Sequence, residues 1–205
     1  MTDLQMFTQL TGPELAEAFP VEHQAAALSA AEVAARMLAD KQWTERFAVT
    51  VNGQKILIPA RLRFATDHSA LTEKDAPWIF VRALQTRSFD GYERQRAARD
   101  LLANFPAWGA PFIVTLIGEY LVEILVDVAA AMTPEMERTL GAFVADNNPY
   151  WETTKRRVAS YWNAYYRHTP NGYYPRAFAR QDYVGFQLVD RLDAAARKWS
   201  QRRAV

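Results

Sequence analysis

The sequence predicts a mainly α-helical fold, a helical bundle or a short α-solenoid-like stack, with one N-terminal β-hairpin at about residues 45–65. Three observations predict it. The apolar period switches to two around Asn52-Gly53. From Asp75 onward apolar residues recur at helical spacing, and helix-start signals punctuate that stretch at short intervals. Half of the 205 residues are apolar and 13% are aromatic, enough for a sizeable core in one domain. That domain is expected to run over 1–205, with a helix-plus-hairpin subregion at 1–74 and a helical subregion at 75–205.

Element by element, Gly12-Pro13 before "ELAEAF" opens a first helix. "SAAE" at Ser29–Glu32 reads as a capping box ahead of Val33, Met37 and Leu38. In "RFAVTVNGQKILIPARLRF" the Asn-Gly pair suits a two-residue type I′ turn, which needs positive φ at both positions. That turn pairs Val51 with Gln54, Val49 with Ile56 and Phe47 with Ile58. Pro59 marks an edge or a bulge. Further helices are expected from Asp75–Pro77, from Asp90 with Glu93 completing a capping box, and from Pro111 through Met132. Others start at Thr133-Pro134 with Met136, Leu140, Phe143 and Val144 inward, and at Asn148-Pro149. The last carries Val184, Leu188, Leu192, Ala195 and Trp199 on one face.

The apolar stretch 111–132 contains three acids, Glu119, Glu123 and Asp127, spaced four apart. On one continuous helix they span about 80° of a single face. A helix with so narrow a polar strip belongs at the centre of a fold, and carboxylates enclosed there need a cation, a donor, a proton or water. Arg94 is the expected cation. On a helical wheel Ala98, Leu101 and Phe105 fall within about 40° of it, so its guanidinium points into an apolar face, while Arg96 and Arg99 point outward. Glu119 or Glu123 is its expected partner; Arg82 and Arg87 are further candidates.

Asp90, Arg94, Ala97 and Leu101 are spaced as in a HEAT-type helical hairpin, which residues 89–132 resemble, with Glu93 standing where such repeats carry an apolar residue. The resemblance implies an α-solenoid-like binding scaffold with a structural arginine–acid pairing, and it supplies no catalytic residues.

Composition excludes several chemistries. Without cysteine there is no disulfide, thiolate metal site or cysteine nucleophile, and a reducing, cytoplasmic setting is expected. Met1–Gln5 show no secretory start. Stretch 111–132 is long enough to span a bilayer, but its acids argue for a core helix and no membrane association. No P-loop, dinucleotide fingerprint or G-x-S-x-G elbow occurs. None of the three histidines follows a glutamate by three residues, so neither a metal nor another cofactor is expected. His168 is read as a cap of a helix end. Abundant alanine and the excess of arginine over lysine suggest a bacterial source.

Charge and aromatics are uneven. Residues 1–149 hold 13 basic and 19 acidic side chains, a balance of −6; residues 150–205 hold 11 and 4, a balance of +7. Seven of nine tyrosines fall within 150–183. Tyr161 with Tyr165 and Trp162 with Tyr166 are spaced i,i+4; Arg167 follows, and Tyr173 and Tyr174 lie in an expected loop. Tyrosine, tryptophan and arginine together suit a protein interface. The preferred reading is a soluble, non-enzymatic interaction or scaffold module that presents Tyr161, Trp162, Tyr165, Tyr166, Arg167, Tyr173 and Tyr174 to a protein partner or a second copy. One alternative is an enzyme with a carboxylate/arginine site at Glu119, Glu123 and Arg94. The other is a nucleic-acid binder acting through the basic, aromatic C-terminal third.

Overall fold

A computed structural model describes residues 10–39, 44–65, 77–168 and 177–203. It is mainly helical with a single two-stranded antiparallel sheet among those residues, and it divides into two compact units, 1–100 and 101–205.

The first unit holds α1 (Gly12–Ala16), α2 (Gln24–Met37), β1 (Arg46–Val51), β2 (Gln54–Pro59), α3 (Trp78–Gln85) and most of α4 (Gly91–Ala103). A reciprocal capping box starts α1. The Glu14 N–H donates to the Thr11 hydroxyl at 3.4 Å, and the Thr11 N–H donates to the Glu14 carboxylate at 2.8 Å. Gly12 permits the close approach of α2, because a Cβ there would sit 2.8 Å from Glu32 Cγ. Helix α2 packs on α1 and α3, and its Ala27, Ala30, Ala31 and Ala34 are fully buried. It begins at Gln24, so Ser29 lies inside the helix and does not cap it. The expected box at Ser29–Glu32 is corrected by Gln24, whose side-chain amide donates to the Ala16 and Phe19 carbonyls and ties the helix start to the end of α1.

That box makes α1 pH-sensitive. The Thr11 backbone N–H, and after it the Thr11 hydroxyl, hold the Glu14 carboxyl below its ordinary value of 4.5. With the folded-state pKa depressed, the contribution is complete above the ordinary value and is lost as pH falls through the lower one. The Thr11 amide resonance should therefore move on acidification from about pH 5 to about pH 3; Glu14→Gln should remove the effect, whereas Thr11→Ala, which keeps the backbone N–H, should only reduce it. An amide that does not move over that range rules out this linkage.

The hairpin has the predicted register: Val51 pairs Gln54, Val49 pairs Ile56 and Phe47 pairs Ile58. Asn52 and Gly53 take φ of 50° and 77°, the positive values the two-residue turn demands. Beyond Pro59 the chain remains extended without forming a long strand. Leu62 bridges Ser88, Phe64 bridges Leu38, and both side chains are buried. The buried Arg87 donates to the Pro59 carbonyl at 3.2 Å and the Ala60 carbonyl at 2.6 Å, so it serves this crossing. Asp90 caps α4 as expected, accepting from the Glu93 N–H at 2.8 Å.

The second unit holds α5 (Ala110–Ile117), α6 (Val122–Ala131), α7 (Pro134–Asp146), α8 (Asn148–Tyr161) and α9 (Val184–Arg203). The Thr133 hydroxyl caps α7 by accepting from the Met136 N–H at 3.1 Å, and the stripe Met136, Leu140, Phe143 and Val144 is buried as predicted. Helix α9 packs on α7, α6 and α8. Helix α5 is buried along its whole length and contacts α6, α7 and α8, which makes it the centre of this unit.

Candidate functional site

The single helix expected over 111–132 is two helices. Helix α5 ends at Ile117, Gly118 caps it, and α6 starts at Val122. At 1.5 Å per residue they are about 12 Å and 15 Å long. No described helix is long and apolar enough to cross a membrane. The break also undoes the acid stripe. Glu119 is enclosed in the turn at 2% exposure, Glu123 is exposed in the first turn of α6, and Asp127 is partly exposed. The three carboxylates share no continuous helix face, and among the described residues no group of three or more His, Cys, Asp or Glu is placed to hold a metal.

One contact, made by Tyr166, holds the break. A Cβ on Gly118 would meet Arg157 Cδ and Thr154 Cγ2 of α8 at 3.4 Å, an ordinary packing distance, so α8 lies against the turn without requiring a glycine there. The backbone groups released by the missing helical turn are then recovered by Tyr166, which is 3% exposed. Its hydroxyl donates to the Tyr120 carbonyl and accepts from the Val122 N–H at 3.2 Å.

Tyr166 reaches the break because α8 ends in a π-helical turn, Trp162–Tyr166, closed by the Arg167 N–H donating to the Trp162 carbonyl at 2.8 Å. Such turns are inserted where side chains must be re-aimed. Here the rings divide into an inner and an outer set. On the inner side Tyr166 stacks on the fully buried Tyr183, centroids 5.1 Å apart and planes 27° apart, and Tyr183 meets Phe186 edge-on. On the outer side Tyr165, 56% exposed, stacks on Tyr161 at 6.2 Å and 29°. Tyr120, 40% exposed, completes this set at 6.0 Å from Tyr161 and 6.2 Å from Tyr165.

The predicted binding residues thus take different roles. Tyr161 and Tyr165 share an outer patch, and Tyr166 is a core and backbone-bridging residue. Trp162 is half-buried, its indole N–H donating to the Phe178 carbonyl at 2.9 Å. Arg167 lies over the Trp162 ring at 5.5 Å and donates to Asn163 Oδ1 at 3.1 Å. Tyr173 and Tyr174 lie outside the described residues. Sequence reasoning missed Tyr120. The available signal was the glycine two residues before it, which interrupts an apolar helical pattern and marks a turn.

Arg94 is 1% exposed, as its wheel position required, and its Nη1 donates to the Ser88 carbonyl at 2.7 Å and the Phe89 carbonyl at 3.0 Å. Within the first unit it therefore holds the turn that leads into α4. Arg82 forms an ion pair with Asp100 at 2.7 Å.

Compared with known proteins, the chain matches no family model, no curated protein sequence and no solved structure.

Proposed function

We propose that this protein is a non-enzymatic binding module whose second unit docks an acidic segment of a partner protein on the Tyr120–Tyr161–Tyr165 patch. The observation that carries the reading is Tyr165. A ring more than half exposed is held on a π turn between two other tyrosines. Ordered aromatic surface of this kind loses little conformational entropy on binding, which is why tyrosine is favoured at interface hot spots. Charge supports an acidic partner, since exposed Arg156, Arg157 and Arg167 lie on the same helix and its π turn. An enzymatic reading through Glu119, Glu123 and Arg94 has less support now that the carboxylates are dispersed. A cytoplasmic, bacterial setting remains an inference from composition.

The test is a panel of Asp/Glu-rich peptides, titrated against wild type, Tyr165→Ala and Arg167→Ala. Tyr165→Ala should weaken binding by about tenfold or more while leaving the melting temperature unchanged, because the ring is mostly outside the core. Binding that neither substitution alters would remove the proposal. A single-stranded oligonucleotide, bound with an affinity that collapses as salt rises, would favour the nucleic-acid reading in its place.

A further inference from the structure

The first unit contains a cleft of about 510 Å³ between the facing sides of α3 and α4, within the volume range of small-molecule sites. Its walls are two helical stripes. Trp78, Arg82 and Gln85 stand at i, i+4 and i+7 on α3, and Glu93, Arg96 and Asp100 at i, i+3 and i+7 on α4, with Arg99 beside them. These residues give α3, otherwise an apolar helix, its polar face.

The floor of the cleft is already ordered. The Arg82 guanidinium is fixed by Asp100 Oδ2 at 2.7 Å and by Gln85 Oε1 at 2.8 Å, and it lies over the Trp78 ring at 5.3 Å. Gln85 is 3% exposed, and its amide donates onward to Glu93 Oε1 at 3.1 Å; the second Glu93 oxygen accepts from the Ser88 hydroxyl at 2.5 Å. Both carboxylates therefore have partners within the walls. Three arginines face two acids, so the cleft keeps a net positive charge. The exposed guanidinium of Arg96 makes no ion pair among the described residues. Guanidinium groups recognise carboxylate and phosphate oxygens through paired N–H donors, and Trp78 and the buried Met37 supply an apolar wall.

We infer that the α3–α4 cleft binds a small organic anion, its carboxylate or phosphate group on Arg96 and Arg99 and its flat apolar part against Trp78. This site is separate from the tyrosine patch, so either can fail without the other.

The experiment uses the full chain and thermal shift, with phenyl phosphate, benzoate, inorganic phosphate and phenol as probes. At about ten times its dissociation constant an anionic ring compound should raise the midpoint by roughly 3–5 °C. Phenol should not, and inorganic phosphate should do less than phenyl phosphate. Benzoate against phenyl phosphate separates a carboxylate site from a phosphate site. Arg96→Glu, an exposed substitution that leaves the Arg82–Gln85–Glu93 chain intact, should weaken binding at least tenfold. Three outcomes would overturn the proposal: no shift with either anionic ring compound, an equal shift from sodium chloride at matched ionic strength, or a shift that Arg96→Glu leaves unchanged.

Discussion

Trp151→Ala should produce the largest loss of stability in this protein. The side chain is 1% exposed in the first turn of α8, and its indole N–H donates to Asp193 Oδ1 of α9 at 2.6 Å. Truncating a buried tryptophan costs about 3–5 kcal/mol, which for roughly 200 residues lowers the midpoint by about 6–20 °C. Trp151→Phe divides that loss, because it keeps most of the packing and removes the hydrogen bond. Among the described residues Asp193 then retains Lys155, 3.7 Å away. The Lys155 pKa is raised, first by its hydrogen bond to Glu152 at 2.6 Å and, against desolvation, by the charge of Asp193. With the folded pKa raised, that contribution is complete below the ordinary 10.5 and disappears only as pH climbs through the higher folded value. The Lys155 contribution should accordingly not be lost between neutral and mildly acidic pH through its own titration. Calorimetric unfolding of both variants is the check, and a midpoint within about 2 °C of wild type for Trp151→Ala would contradict the packing described for α8 and α9.

Gly141→Ala should also destabilise, by up to about 2 kcal/mol net, although alanine is the better helix former by about 1 kcal/mol. Helices α7 and α9 meet here backbone to backbone. A Cβ on Gly141 would lie 2.5 Å from Ala195 Cβ, 2.9 Å from the Ala195 carbonyl carbon and 3.2 Å from the Ala196 nitrogen. None of these atoms belongs to a flexible side chain, so the helices must separate. Forcing one methyl into such a contact costs about 1–3 kcal/mol, more than the propensity gain. Ala195→Gly should partly rescue it by deleting the nearer clash, a coupling that a double-mutant cycle measures directly. A stabilised Gly141→Ala would show that propensity outweighs packing at this contact.

How much of this was readable in advance differs between elements. The hairpin was readable to the residue, because Asn52-Gly53 sets its own turn and a two-residue turn leaves one register. Thr133-Pro134 was equally transparent, a hydroxyl cap followed by a residue that needs no N–H partner. Ser29 misled because Ser-x-x-Glu also occurs inside helices. What decides the start of α2 is the Gln24 amide reaching carbonyls 5 and 8 residues back, one in the preceding loop and one at the end of α1. Arg94 was legible as buried from its place on the wheel; that it would hold the Ser88–Phe89 turn was not.

The candidate site follows the same division. Composition and spacing singled out the tyrosine-rich C-terminal third, and i,i+4 spacing placed Tyr161 beside Tyr165. No local rule separates Tyr165, which faces outward, from Tyr166, which is enclosed and bridges the turn between α5 and α6. That choice depends on the π turn and on where Tyr120 and Tyr183 lie. By itself the sequence determined the helical class, the hairpin with its register, the Asp90 and Thr133 caps and most of the inward faces, since each depends on residues within a few positions of one another. Only the tertiary structure decided that the apolar stretch breaks at Gly118, that its acids disperse, and that α3 and α4 frame a basic cleft. Those outcomes depend on contacts made by side chains distant in sequence or carried on separate helices, and a hydroxyl or a guanidinium forms them only when the fold brings the partner within hydrogen-bond reach.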